Sequence, residues 1–324
     1  MNNLNIAKIE SANEPKRRTA SKLGSTWREY KKHKFLFFLL FPVLIWYGVF
    51  HYGPLYGIQL AFKDFSPVKG IWGSPWVGME YFKFLFYQSP DFARIFRNTI
   101  LISCYNIIFG FPAPVILALL LNELRSAAFK KIAQSISYIP HFFSWVVLSG
   151  IIIIMLSPSE GPVNYLLKLM HIDPIYFLAD TAYFRPTLVA TGIWKEIGWG
   201  TIIYLAALSG VDPTLYEAAR IDGANRWKQT WHITIPTILP VITIMFILSL
   251  GGILNAGFDQ IFNLYSPAVY EVGDVIDTYV YRAGIQNFQF GLTTAVGLFK
   301  NIIGIILVLG TNFIVKKLGQ EGVL

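Results

Sequence analysis

Charge is scarce in this chain. Only 14% of its 324 residues are Asp, Glu, Lys or Arg, while 54% are hydrophobic; ordinary soluble domains carry about 25% charged and about 45–50% apolar residues. A water-soluble globular fold is excluded on that balance. Cysteine is almost absent: Cys104 stands alone, so it forms no internal disulfide, and its setting near Ile102 and Ile107 reads as a small packing position without redox chemistry. No G-x-x-x-x-G-K-[ST] segment occurs, so the chain does not cradle ATP phosphates by that device. The five histidines, His33, His51, His141, His171 and His232, are scattered without metal-ligand spacing. The carboxylates offer no paired acid and base in a soluble cleft, so no catalysis, cofactor or metal is expected in this subunit. Low-complexity linkers and 20- to 50-residue repeats are also missing, which leaves one main domain.

What is present is a series of long apolar runs. A helix needs about 20 mostly apolar residues to cross a hydrocarbon core about 30 Å thick. Six runs meet that length, approximately Phe35 to Phe62, Thr99 to Leu121, Ile132 to Ser157, Pro186 to Ser209, Ile238 to Phe262 and Leu292 to Val315. The expected fold class is therefore an all-α integral membrane protein, a six-helix transmembrane bundle over residues 35–315. The basic start followed by the run from Phe35 has the outline of a secretory signal. The run is too long for one, and no small-residue cleavage site follows, so it reads as a retained first helix.

The net charge of +8 does not point to nucleic acid, because the basic residues gather in the N-terminal tail and in short loops between spans. With the N-terminus inside, nine precede Phe35, three follow span two, three follow span four and two end the chain, whereas the external loops hold five, two and one. Basic flanks prefer the cytoplasmic side, so both termini of this multi-pass chain are expected in the cytoplasm. Tails are expected at residues 1–34 and 316–324. The stretch Trp27 to Lys34 reads either as a short interfacial helix or as a disordered tail with anchoring charges. The external loops 64–90, 158–185 and 263–290 carry Gly, Pro, Trp and Asp and suit an outward docking surface.

The most informative stretch lies between spans four and five, within residues 211–236: Glu217-Ala-Ala-Arg-Ile-Asp-Gly223, then Ala224 through Ile233-Thr-Ile235-Pro236. Asp212, Pro213 and Thr214 supply helix-start chemistry, and Gly223 can end a helix over Leu215 to Asp222 through a left-handed residue. The result is a helix–turn–helix elbow on the membrane face. Leu215, Tyr216, Ala218 and Ala219 can fill a groove on a soluble partner. Glu217 and Arg220 add directional contacts.

This segment resembles the coupling loop of permease subunits of ATP-binding cassette importers, the binding-protein-dependent inner-membrane components. The family pattern is Glu-Ala-Ala, three residues, Gly, nine residues, Ile, one residue, Leu-Pro; the chain keeps every spacing and places Ile235 where Leu is usual. The stretches Phe62-Lys-Asp-Phe-Ser-Pro, Trp72-Gly-Ser-Pro-Trp-Val-Gly, Trp194-Lys-Glu-Ile-Gly-Trp and Asn255 through Tyr270 resemble the branch serving oligo- and polysaccharides. Within it the chain is most similar to first permease subunits of bacterial alginate importers, with rhamnogalacturonan importers next. The resemblance covers nearly everything after residue 30. It implies a type I importer permease whose coupling helix comprises Leu215 to Arg220 with Asp222, Gly223 and Pro236. It also implies a second permease, normally a different polypeptide, two ATPase subunits that bind ATP and magnesium, an external solute-binding protein and a saccharide substrate.

Charges inside the apolar runs are few. They cost at least about 2.5–3.5 kcal/mol each at a span centre, so they face a partner or a water-filled cavity. Lys195 and Glu196 in span four read either as pathway-lining groups or as an interhelical ion pair. Lys300 in span six suits a cavity that receives an anionic sugar such as a uronate. Asn255, Asp259 and Gln260 can bond saccharide hydroxyls, and Trp194, Trp199 and Tyr204 offer stacking faces. Gly251, Gly252, Ala256 and Gly257 read as close helix packing. Two rivals remain: an ion-gradient-driven secondary transporter of sugars, which would need midplane ion sites, and a membrane enzyme, which would need a clustered catalytic motif.

Overall fold

The computed structural model describes residues 33 to 317. Residues 1 to 32 and 318 to 324, which include nearly all of the expected interfacial segment at Trp27 to Lys34 and most of both tails, lie outside the described residues. Among the described residues the architecture is helical, and extended pairing is confined to an isolated antiparallel bridge between Lys63 and Trp76. In chain order the helical segments are α1 (Lys34–Phe62), α2 (Pro90–Asn122), α3 (Ala127–Tyr138), α4 (Trp145–Met155), α5 (Pro162–Leu169), α6 (Thr181–Ser209), α7 (Pro213–Ile221), α8 (Arg226–Gly251), α9 (Phe258–Leu264), α10 (Ile276–Val280) and α11 (Phe290–Lys317). Single helical turns fill several of the connections. The chain divides into two compact units, Met1–Ile58 and Gln59–Leu324. The first is represented by most of α1, whose large apolar side chains are exposed.

Four segments, α1, α2, α8 and α11, are long and apolar enough to cross a membrane, with mean hydropathy from 1.9 to 2.3 over their best windows. Two of the six expected spans are interrupted. The third is a pair: Ala127–Phe142 and Trp145–Met155 meet at 107°. Pro140 ends the first piece, Phe143 is extended, and Ser144 restarts the helix by accepting the Val147 N–H on its hydroxyl. Counted as one span, that pair raises the number to five. The fifth expected span does not run to Phe262; its helix ends at Gly251, and the chain passes through a left-handed Gly257 (φ 90°) before α9 begins. The fourth, α6, is continuous over 29 residues but less apolar than the others, because Lys195, Glu196 and several small and aromatic residues dilute it.

Prolines shape the long helices locally. A single π turn, Asn106–Gly110, precedes Pro112 in α2, and another, Thr230–Thr234, precedes Pro236 in α8. A proline ring lacks an N–H and collides with the carbonyl four residues earlier; one wider turn absorbs both problems without ending the helix.

Helix α6 is the spine of the second unit. Near its start, Phe184 and Leu188 are buried with Ile102 of α2, Leu148 and Ile152 of α4 and Ile261 of α9. Near its end, Tyr204 and Leu208 are buried with Ala118 of α2, with Val211 in the connection to α7 and with Ile238 of α8. Twenty residues of helix separate the two clusters by about 30 Å, a distance comparable with a hydrocarbon core. A third cluster joins Phe92 and Ile95 of α2 to Ile276 of α10 and to Leu292, Ala295 and Val296 of α11. Midway along α6, Gly198 lies against the α3 backbone so tightly that a β-carbon there would sit 2.0 Å from the Ser137 carbonyl oxygen.

Candidate coupling elbow and polar pathway

The elbow is assembled almost wholly from local chemistry. Asp212 caps α7: the Thr214 N–H donates to its Oδ1 at 2.9 Å, and Pro213 occupies the first turn, where no N–H is needed. These bonds from Thr214 hold the Asp212 carboxyl below its ordinary pKa of 3.8 by favouring the charged form. At the other end the Ala224 N–H bonds the Ala219 carbonyl at 2.8 Å and the Gly223 N–H bonds the Arg220 carbonyl at 3.1 Å. That pair of bonds requires a left-handed residue after the cap, which Gly223 supplies with φ 76°. Asn225 then caps the next turn by accepting the Lys228 N–H at 2.9 Å, and the chain enters α8.

Two contacts seat the elbow on the bundle. The Tyr216 hydroxyl lies 2.9 Å from the Thr234 hydroxyl, and its ring packs against the cluster around Tyr204 and Leu208. Arg226 pairs with Glu123 at the end of α2. Tyr216 therefore packs inward on the bundle and, like Ala219, is half-buried. Leu215, Glu217, Ala218, Arg220, Asp222 and Pro236 are exposed. The largest outward apolar groups were not singled out by sequence reasoning: Ile221 is 87% exposed and Trp227 73%. Their signal, two bulky apolar residues flanking a helix-ending glycine, was legible.

The polar residues in the apolar runs separate into two groups. Lys195 is 7% exposed, and its ammonium donates to the carbonyls of His141 at 2.8 Å and Phe143 at 3.0 Å, with the Trp145 ring 5.7 Å away. It closes the corner between α3 and α4, whose last carbonyls have no helical partner. Glu196, half exposed, bridges His141 Nδ1 at 2.8 Å and the Lys195 ammonium at 3.6 Å, and that imidazole stacks flat on Trp199 at 4.5 Å. Gln260 is buried too: its amide donates to the Leu188 carbonyl at 2.7 Å and the Thr191 hydroxyl at 2.8 Å, tying α9 to α6. Tyr204 belongs to the core. Trp194 and Trp199 keep exposed faces.

Asn255, Asp259 and Lys300 form the second group. Asn255 and Asp259 are exposed beside the break after α8. Lys300 projects from α11 into a cavity of about 560 Å³ whose lining includes Asn255, Phe258, Asp277, Tyr281 and Thr293. There its ammonium meets Asp277 Oδ1 at 2.5 Å. Asp277 was missed by sequence reasoning because it lies in a polar loop stretch outside the apolar runs.

Also unforeseen is a buried polar frame around residues 270–282. Arg282 grips Asp274 through both guanidinium nitrogens, at 2.8 and 2.6 Å, and lies over the Tyr270 ring. The Thr278 hydroxyl donates to the same carboxylate at 2.7 Å. These bonds to Asp274 raise the Arg282 pKa above that of a free arginine. Arg185 of α6 donates to Asn98 of α2 at 2.7 Å and to the Val272 carbonyl at 3.0 Å, while the Asn98 amide donates to the Glu271 and Asp274 carbonyls. Fully bonded polar groups of this kind fix one geometry, and here they anchor α10, and with it Asp277, to α2 and α6. Among the described residues no cluster of His, Cys, Asp or Glu is arranged to hold a metal.

Comparison with known proteins places this geometry in a family. The family model for the binding-protein-dependent transport system inner membrane component matches residues 92–320. Protein LplB of Bacillus subtilis is 45% identical over 313 residues, covering 95% of this chain and 98% of that protein. The polygalacturonan/rhamnogalacturonan transport system permease protein YteP of the same organism is 44% identical over 292 residues, covering 90% and 91%. A chain from the crystal structure of a bacterial alginate ABC transporter, in complex with an alginate pentasaccharide-bound periplasmic protein, superposes with a TM-score of 0.85 at 40% identity, over 92% of this chain and 99% of that one. The chain belongs to the binding-protein-dependent transport system inner membrane component family and is an all-helical permease subunit of an ABC importer.

Proposed function

We propose that this permease forms half of a translocation pore for oligo- or polysaccharides carrying uronate residues, and that a separate ATPase drives it through the elbow at α7. The observation that carries the substrate reading is the cavity beside the α8 break, where hydroxyl-binding groups (Asn255, Tyr281, Thr293) surround the Lys300 ammonium and its Asp277 partner. Relatives named for polygalacturonan/rhamnogalacturonan and alginate transport support the same chemistry. The drive reading rests on the elbow, whose exposed Leu215, Glu217, Ala218, Arg220 and Ile221 are held on a rigid, capped helix seated by Tyr216 and Arg226. An ATPase pair that closes on ATP and magnesium can push such a lever and bias the pore between two states through differential affinity.

In this reading a second, different permease completes the pore, and an external binding protein delivers the saccharide to the loops that the Arg282–Asp274 frame supports. Lys195 and Gln260 act as struts, and Asn255, Asp259 and Lys300 meet the substrate. The test is reconstitution of the chain with its partner permease, ATPase and binding protein in proteoliposomes. Uptake of a uronate oligosaccharide should require all partners and ATP inside. Uptake driven by an ion gradient without the ATPase would overturn the reading, as would transport confined to neutral sugars.

A further inference from the structure

Resting on that reading, we infer that Asp277 is a built-in competitor for Lys300 and sets the pathway's selectivity and release of acidic saccharides. Two cavities meet at Lys300. The one of about 560 Å³ is lined by Asn255, Asp277, Tyr281 and Thr293; the other, about 390 Å³, by Asn255, Asn301 and the glycine face of Gly251 and Gly304. Lys300 and Asn255 line both. Among the described residues lining the two cavities, Lys300 and Asp277 are the only charged groups. Their side chains are 17% and 25% exposed, so the pair is shielded yet open to an arriving group.

The chemistry of exchange follows from what each sugar offers. A uronate residue carries a carboxylate that can take the place of Asp277 on the ammonium, together with hydroxyls that can donate to the Asp277 carboxylate it releases. A neutral residue carries only hydroxyls, so the pair stays closed against it. Charge-assisted bonds are the strong ones, and an ammonium left alone in so sheltered a place would hold a polyanion tightly. A conducting site must be strong enough to admit its substrate and weak enough to let it leave. Asp277 provides that balance: the site is neutral at rest, and each carboxylate that reaches Lys300 must displace an equivalent one. The frame of Arg282, Asp274 and Thr278 keeps α10 in place so that Asp277 returns when the sugar moves on.

The experiment uses the complete reconstituted complex and two probes, a uronate oligosaccharide and a partly methyl-esterified form that the wild-type complex also takes up. The readout is the ratio of their initial uptake rates, with KM and kcat for each; discrimination by the binding protein cancels because it is common to all variants. Lys300→Gln should lower the acid-to-ester ratio about tenfold or more, the worth of one charge-assisted bond. Asp277→Asn should act oppositely on binding, lowering KM for the acid several-fold while also lowering its kcat, because release slows. The double variant K300Q/D277N should show the low ratio of Lys300→Gln, which rules out misfolding of one unpaired charge as the cause. If all three variants lower both probes in proportion and leave the ratio at its wild-type value, the pair is only a tie between α10 and α11, and the inference fails. If the wild-type complex takes up neutral oligosaccharides and no uronate form, the substrate reading itself has failed.

Discussion

Lys195 provides the sharpest distinction between a strut and a pathway residue. Replacing it with Met keeps the length and apolar stem but removes the ammonium that bonds the His141 and Phe143 carbonyls. Each charge-assisted bond contributes about 1.5–3 kcal/mol, and a buried carbonyl left without a donor costs about 1–3 kcal/mol. Against this, Met avoids the desolvation of a cation that is 7% exposed and loses only a weak contact with the Trp145 ring. The net loss expected is about 2–4 kcal/mol, or roughly 3–6 °C in thermal unfolding for a cooperative unit of 324 residues. Glu196→Gln is the natural control. Its carboxylate is half exposed, so its pairings with His141 and, at 3.6 Å, with Lys195 itself contribute less than about 1 kcal/mol each. Unfolding followed by tryptophan fluorescence in lipid nanodiscs measures both, and the acid-to-ester uptake ratio measured on the folded fraction should be that of the wild type for Lys195→Met. Equal stability of the two variants, or an altered ratio in Lys195→Met, would refute the assignment of Lys195 to the corner between α3 and α4.

Gly198→Ala would place a methyl 2.0 Å from the Ser137 oxygen, where ordinary contacts begin at 3.4 Å, so α6 and α3 must separate by more than 1 Å. A loss of about 1–3 kcal/mol or more is expected from overpacking, read as a lower unfolding temperature; an unchanged one would show that the crossing is looser than described. At Gly223 a β-carbon meets open space, so only the left-handed backbone discriminates. Gly223→Asn should keep ATP-coupled uptake, whereas Gly223→Val should lose it while ATPase activity continues, since a branched residue there costs about 1–2 kcal/mol or more; equal behaviour of Asn and Val would count against the elbow. Because the folded pKa of Asp212 lies below its unfolded value, its cap stabilises α7 fully above about pH 4 and the contribution fades as pH falls through the lowered pKa. Amide protection of Thr214 to Ala218, corrected for intrinsic exchange, should be level above about pH 4 and fall as the pH drops further in the wild type, and stay level throughout in Asp212→Asn, which caps without titrating; parallel curves would remove the carboxylate from the account.

The elbow was legible in the sequence because the bonds that shape it, unlike the Tyr216 and Arg226 contacts that seat it on the bundle, join residues at most five positions apart. Asp212 to Thr214 and Ala224 to Ala219 are decided by the order of a few neighbouring side chains, and a left-handed Gly223 is required wherever that order occurs. The apolar runs were legible for a similar reason, since hydropathy over a window is a local property. Their interruption was less so: Pro140 and Ser144 mark the corner in α3 and α4, yet a run of apolar residues on both sides conceals a turn of 107°.

Long-range pairing was decided only by the tertiary structure. Lys195 and Lys300 are alike in sequence, each a single cation inside an apolar run, but one is consumed by two backbone carbonyls more than 50 residues away and the other opens into a cavity opposite Asp277. Asn98 reaches Glu271 and Asp274 across more than 170 residues. What the sequence by itself determined was which segments are apolar and where the capped elbow helix lies, because neighbours along the chain settle both. Which polar group is tied to backbone carbonyls and which opens into a cavity depends on the partner that packing brings within about 3 Å, and no local pattern contains that information.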